Sequence, residues 1–131
     1  MIVVDASAAL DLLLRTSRGR EISSRLRQAE HTLHAPHLID IEVLQVIRRY
    51  TMRKVITASR AEEAIRDFLD LPMERYPHEM LLPRIWELRH NATAYDASYL
   101  ALSELLGAPL ITCDAGLAAS AGHAAQVVLV R

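Results

Sequence analysis

The chain contains one cysteine, Cys113, in 131 residues. A lone thiol excludes an intramolecular disulfide and any zinc site built from clustered cysteines. Aromatic residues make up only 5% of the sequence, so Leu, Ile, Val and Ala must pack the core. That scarcity also argues against base-stacking recognition of a nucleic acid through an aromatic platform. No apolar run approaches the roughly 20 residues that span a bilayer. The opening Met1-Ile2-Val3-Val4-Asp5 lacks the basic segment of a secretory signal and meets an acid at once. A cytoplasmic location with no membrane partner is the expectation. Repeats, low-complexity stretches and long linkers are absent as well.

An excess of either charge is also missing, since the formal net charge is −1. Bulk electrostatics therefore does not announce a polyanion binder. The distribution is less even. The first 60 residues carry ten Lys and Arg against six acids, and the remaining 71 carry five against ten. All the basic residues except Lys54 are Arg, whose fork can grip phosphate or decorate a solvated helix face. A hydrophobic share of 51% in a chain of this length fits one domain, residues 1–131, with a sizeable core.

Ile2-Val3-Val4 reads as a buried strand ending at Asp5, followed by a helix from Ala6 to Leu14. A second helix is expected from Arg18 to Glu30, then a short strand from Thr32 to Ala35 closed by Pro36. His37 to about Lys54 reads as a long helix with Leu38, Ile41, Leu44 and Ile47 on one stripe. Ser59-Arg60-Ala61-Glu62 has the form of a capping box opening a helix that stops near Pro72. Met73 to Tyr76 is a candidate strand, Glu79 to Asn91 a helix with Pro83 in its first turn, and Thr93 to Gly107 another helix. Pro109 to Cys113 is a strand ending at Asp114. A short helix from Ala115 to about Ala121 and a last strand, Gln126 to Val130, complete the chain. Strands alternating with helices predict an α/β domain with a parallel sheet, whose functional crevice lies beyond the carboxyl ends of the strands.

Two acids occupy that end of an expected strand. Asp5 and Asp114 each fit either a strand-end ligand or the N-cap of the following helix. Ser7 could cap the same helix, or orient Asp5 or a metal-bound water. Thr112 could brace Asp114. Glu42 borders an apolar stripe, with Leu38, Ile41 and Val46 as helical neighbours, which is unexpected unless it faces a polar pocket. Asp40 is two residues away, does not share its face and reads as solvated. Asp96 sits in a first helical turn, as a helix-dipole contact or as part of a site. Four carboxylates aimed at one point repel each other unless a cation lies between them. Hard divalent ions take oxygen ligands and bind phosphate oxygens, so converging acids point to phosphoryl chemistry.

The set Val4-Asp5-Ala6-Ser7, Pro36-x5-Glu42-Val43 followed by Arg48, Tyr95-Asp96-Ala97-Ser98-Tyr99 and Leu110-Ile111-Thr112-Cys113-Asp114 resembles the PIN-domain family. The resemblance spans Ile2 to Val130 and is nearest to the VapC-type toxins of bacterial toxin–antitoxin pairs. It implies a PIN-like three-layer α/β/α sandwich with a central, mostly parallel sheet of four to five strands. It implies a Mg²⁺- or Mn²⁺-dependent endoribonuclease that hydrolyses RNA with a metal-activated water. The expected partners are a VapB-type antitoxin and a second copy in a homodimer. Asp5, Glu42, Asp96 and Asp114 take metal-ligand or catalytic roles in this reading. Many relatives carry a further acid two or three residues after the last aspartate. Gly116 and Leu117 stand there in this chain, which favours one well-held ion, with a second only when RNA is bound.

Other features are weaker. His31, His34 and His37 suggest zinc, but Pro36 interrupts their register and no cysteine joins them; solvated or substrate-side roles fit better. Cys113 has no neighbouring base and reads as a small strand residue. Trp86 reads as core or partner contact. The arginines around the first two helices and the end of the long one suit RNA phosphates, an acidic antitoxin segment or a solvated face. The apolar stretches Leu10–Leu14 and Leu38–Val46 could bury a partner helix as well as the core. An aspartyl phosphatase would need an acid where Ser7 stands. A phospho-acceptor domain would need an acidic pair and a late lysine. The remaining alternative is a catalytically weak PIN-fold module that binds RNA or protein.

Overall fold

The computed structural model describes residues 1–28 and 30–131. Its strands are β1 (Ile2–Val4), β2 (Leu33–Pro36), β3 (Met73–Tyr76), β4 (Leu110–Thr112) and β5 (Val127–Leu129). The helices are α1 (Ala6–Leu13), α2 (Ser17–Gln28), α3 (Leu38–Met52), α4 (Ala58–Asp70), α5 (Leu82–Glu87), α6 (Ala94–Leu106) and α7 (Ala115–Ala118). All strand pairings are parallel, in the order β3-β2-β1-β4-β5. The central strands β1 and β4 are buried along their whole length, as a strand covered on both faces must be.

The strand order positions the site. From β1 the chain steps outward through β2 to β3, then returns to add β4 on the other side of β1. Right-handed crossovers put α1–α4 on one face and α5–α7 on the other. Accordingly α6 packs across β1, β2 and β4 with α5 behind it, while α1 packs against α2, α3 and α4. Between β1 and β4 the order reverses, which opens a crevice at their carboxyl ends. The register pairs Val3 with Leu110 and Val4 with Ile111, and so brings Asp5 beside Thr112.

Several local expectations need correction. The buried stripe of α3 is Ile39, Val43 and Ile47, at a spacing of four. Ile41 is 69% exposed and Leu44 43%, so the middle of the row starting at Leu38 faces outward, while Leu38 is partly buried and Ile47 belongs to the buried stripe. The cap of α4 is Thr57, whose hydroxyl accepts from the Arg60 N–H; Ser59 is already helical, so the capping box does not form. The segment expected as one helix from Glu79 to Asn91 is a 3₁₀ turn at Glu79–Leu81 followed by the short α5. Proline near the start of α5 has no N–H to continue a ladder, which separates the two pieces. The α6 helix ends on Gly107 at φ +60°, a left-handed cap that glycine adopts without strain.

His34 is buried rather than solvated: its ring bonds Thr32 and the Tyr76 hydroxyl, each at 2.7 Å. Asp40 is not merely hydrated but meets the Arg75 Nε at 2.7 Å. Trp86 is exposed, so it is no core residue, and Arg89 stacks over its ring at 4.6 Å. Cys113 follows β4, and burial beside the Asp11 carboxylate pushes its thiol up to about 12, which disarms it as a nucleophile.

Candidate active site

Asp5, Glu42, Asp96 and Asp114 all line one cleft of about 590 Å³ at the carboxyl ends of β1 and β4. Each arrives from a different element. Asp5 follows β1, Glu42 projects from α3, Asp96 lies in the first turn of α6, and Asp114 follows β4.

Asp5 is the most enclosed of the four, at 6% exposure. As the N-cap of α1 its Oδ1 accepts from the Ala8 N–H at 2.9 Å and from the Ser7 hydroxyl at 2.7 Å. The Thr112 hydroxyl donates to its Oδ2. A carboxylate offers about four lone pairs, so three bonds leave one acceptor position, on Oδ2. Ser7 and Thr112 are themselves locked. Ser7 Oγ accepts from the Cys113 N–H at 2.9 Å, and Thr112 Oγ1 accepts from the Asp114 N–H at 2.9 Å. Thr112 thus braces the Asp5 carboxylate rather than that of Asp114.

Asp114 caps α7. Its Oδ1 accepts from the Gly116 N–H at 2.8 Å and the Leu117 N–H at 3.3 Å. The two positions without the additional acid therefore spend their backbone donors on the acid that is present. Thr93 caps α6 by accepting from the Asp96 N–H at 3.1 Å, which fixes the aspartate at the cleft mouth. Glu42 is held by a contact that no sequence pattern announced: the Tyr99 hydroxyl donates to its Oε1 at 2.6 Å. Tyr99 lies three residues after Asp96 on α6, so one helical turn carries both a carboxylate and the clamp for another. The spacing was visible in the sequence, but the partner on α3 was not.

The electrostatics follow from this crowding. Burial is the first cause that raises the Asp5, Glu42 and Asp96 carboxyls above their usual range. Mutual repulsion adds to it, from Asp114 on Asp5, from Asp5 and Asp96 on Glu42, and from Asp114 and Asp5 on Asp96. The Tyr99 bond pulls Glu42 back partway, and burial next to Glu42 drives the Tyr99 phenol far upward. Among the described residues no three His, Cys, Asp or Glu side chains are drawn close enough to clasp an ion directly. The acids form a spread wall of carboxylate oxygens with no imidazole or thiolate among them.

The model of the PIN domain matches residues 2–122. The chain belongs to the PIN domain family. This PIN domain is 44% identical over 130 residues to ribonuclease VapC12 of Mycobacterium tuberculosis, covering 99% of both chains. It is 39% identical over 130 residues to ribonuclease VapC1 of the same species, covering 98% of this chain and 97% of the relative. Solved structures share the fold at lower identity. PAE2754 from Pyrobaculum aerophilum superposes with a TM-score of 0.65 at 22% identity, over 88% of this chain and 76% of that one. M. tuberculosis VapC20, described as a sarcin-ricin loop cleaving toxin, gives 0.64 at 18% identity, over 95% and 97%.

Proposed function

We propose that this PIN domain is the endoribonuclease toxin of a toxin–antitoxin pair, with Mg²⁺ or Mn²⁺ as cofactor and Asp5, Glu42, Asp96 and Asp114 as its metal-binding and catalytic residues. The convergence of four carboxylates from four elements on one cleft carries the reading, on a chain similar over its whole length to proteins named ribonuclease VapC. The donor set fits a hard divalent ion. It consists only of oxygens, and its members raise one another's proton affinity, a repulsion that a cation between them would reverse. Mg²⁺ keeps several of its waters and needs few direct carboxylate bonds.

When bound, such an ion supplies an acidified water and a Lewis acid for a phosphodiester. The side chains supply position. Three hydrogen bonds prevent Asp5 from turning away from the cleft. Tyr99 occupies Oε1 of Glu42 and leaves Oε2 to accept a proton from an attacking water. Asp96 and Asp114, both at helix N-termini, add carboxylate oxygens beside the substrate phosphate.

A VapB-type antitoxin and a second copy of the chain are the partners in this reading. The outward row of Ile41 and Leu44 on α3 offers apolar surface for the antitoxin. The decisive experiment is cleavage of cellular RNA by purified protein. Activity is expected to vanish in EDTA, to return with Mg²⁺ or Mn²⁺, and to be lost in Asp5→Asn. Cleavage that persists in Asp5→Asn overturns the reading.

A further inference from the structure

The cleft holds a second cluster beside the four acids, at the junction of α1 and α2: Asp11, Thr16 and Arg18. Asp11 is buried at 8% exposure, and a buried carboxylate is costly unless it is paired. Its Oδ1 accepts from the Thr16 hydroxyl at 2.7 Å, and the Arg18 Nη2 lies 3.1 Å from its Oδ2. The Thr16 oxygen accepts in turn from the Gly19 N–H at 3.0 Å. Only glycine permits this arrangement, because a Cβ at residue 19 would stand 1.9 Å from the Asp11 carbonyl oxygen. A guanidinium has five N–H donors, and among the described residues Asp11 is the only partner of this one. The Arg18 side chain remains 43% exposed at the cleft.

We propose that Arg18 grips a phosphate of the RNA strand that flanks the scissile bond, with Asp11 and Thr16 as its positioning residues. The inference rests on the ribonuclease reading above. A polyanion entering a cleft walled by four carboxylates meets repulsion, and a cation fixed at that wall offsets it. Arg18 is already oriented, so little side-chain freedom is lost when it forks a phosphate. Arg49 lines the same cleft two turns beyond Glu42 on α3, about 10 Å along the axis. No hydrogen bond or ion pair fixes Arg49 among the described residues, which makes Arg18 the preorganised contact.

The test compares the parent with Arg18→Ala, Arg18→Gln and Arg18→Lys. A single-stranded RNA serves for cleavage with Mn²⁺, and for anisotropy binding in EDTA across a NaCl series. Arg18→Gln retains a donor for Asp11, so it preserves the fold should Arg18→Ala fail to do so. Removal of the guanidinium is expected to raise KM about tenfold, the loss of one charge-assisted hydrogen bond, with kcat within about twofold. The slope of log Kd against log salt should fall by about 0.7, one single-strand phosphate contact, and Arg18→Lys should restore it. A lower melting temperature with unchanged KM and slope makes Arg18 only a staple between α1 and α2, or a contact for an acidic peptide, and overturns the proposal. A parent that binds RNA with an Arg18-dependent slope but never cuts it refutes the ribonuclease reading and leaves the phosphate contact standing. A parent that neither binds RNA in EDTA nor cuts it with Mn²⁺ overturns both.

Discussion

The bond from Tyr99 to Glu42 is a test of whether the cleft is held in place from behind. Tyr99→Phe removes one oxygen and leaves the ring, which is only 2% exposed. The lost bond joins a buried phenol to a half-buried carboxylate at 2.6 Å. Hydrogen bonds to charged groups contribute about 1.5–3 kcal/mol, and the partial access of water to Glu42 argues for the lower end. For a chain of this size about 1.5 kcal/mol corresponds to a fall of about 6 °C in Tm. The bond is one of the influences that lower the Glu42 pKa, so its loss raises that carboxyl further. Glu42 then ionises at higher pH, and the acid limb of the rate profile should move upward. At low pH, where Glu42 is protonated in both proteins, only a neutral bond is lost and the Tm difference should narrow. Calorimetry of the parent, Tyr99→Phe, Glu42→Gln and the double variant completes a thermodynamic cycle. A coupling below about 0.5 kcal/mol, or a Tm gap that widens on acidification, would refute the reasoning.

Three further outcomes follow from the same geometry. Asp96→Asn relieves burial and repulsion of a charge, so in EDTA its Tm should exceed that of the parent by about 2 °C, for a half-exposed group worth about 0.5 kcal/mol. Saturating Mn²⁺, at about 100 times its Kd, should add about 2.7 kcal/mol to the parent and much less to the variant, reversing the order; equal gains would refute the assignment. Glu104 has a depressed pKa because Arg84 grips both its oxygens, at 2.8 and 3.0 Å, and Ala124 donates to it. A depressed carboxyl stabilises the fold above its unfolded pKa and loses that effect as pH falls through the folded one. The cost of Glu104→Gln, about 1 kcal/mol at pH 7, should therefore shrink below about pH 4.5, as acid melts of both proteins would show. Gly19→Ala forces a methyl against the Asp11 carbonyl and should lower Tm by about 10 °C, an overpacking cost of about 2–3 kcal/mol. A melt within a degree or two of the parent would show that α2 can move away.

Much of the fold was legible because short apolar strands punctuate amphipathic helices. Ile2–Val4 and Met73–Tyr76 fall on the residues expected, and Leu110–Thr112 lies within its expected run. What failed was local competition. Thr57 and Ser59 both offer a hydroxyl, and the choice between them depends on where the chain leaves α3, which no window of sequence contains. On α3 two apolar rows compete. The row of Ile39, Val43 and Ile47 is buried because α3 must cover β2 and pack on α1 and α4, which are tertiary facts. At the cleft, strand-end placement marked Asp5 and Asp114, and the capping alternative proved to be true of both. The Tyr99–Glu42 and Arg18–Asp11 pairs had no comparable signal. The first crosses 57 residues, and the second depends on a helix approach that only Gly19 allows.

The reversal of strand order also has a consequence for assembly. The Thr112 hydroxyl and the Asp5 carboxylate that it holds are separated by 107 residues. Until β4 docks, one edge of β1 is bare, Ser7 lacks its Cys113 donor, and Asp5 lacks the bond on Oδ2. A chain emerging from the ribosome, or cut anywhere before residue 110, thus has its first and most buried acid in place without the lock that aims it. Such long-range closure is the slow step of a parallel sheet. Every product that ends before residue 110 is left with an incomplete cleft.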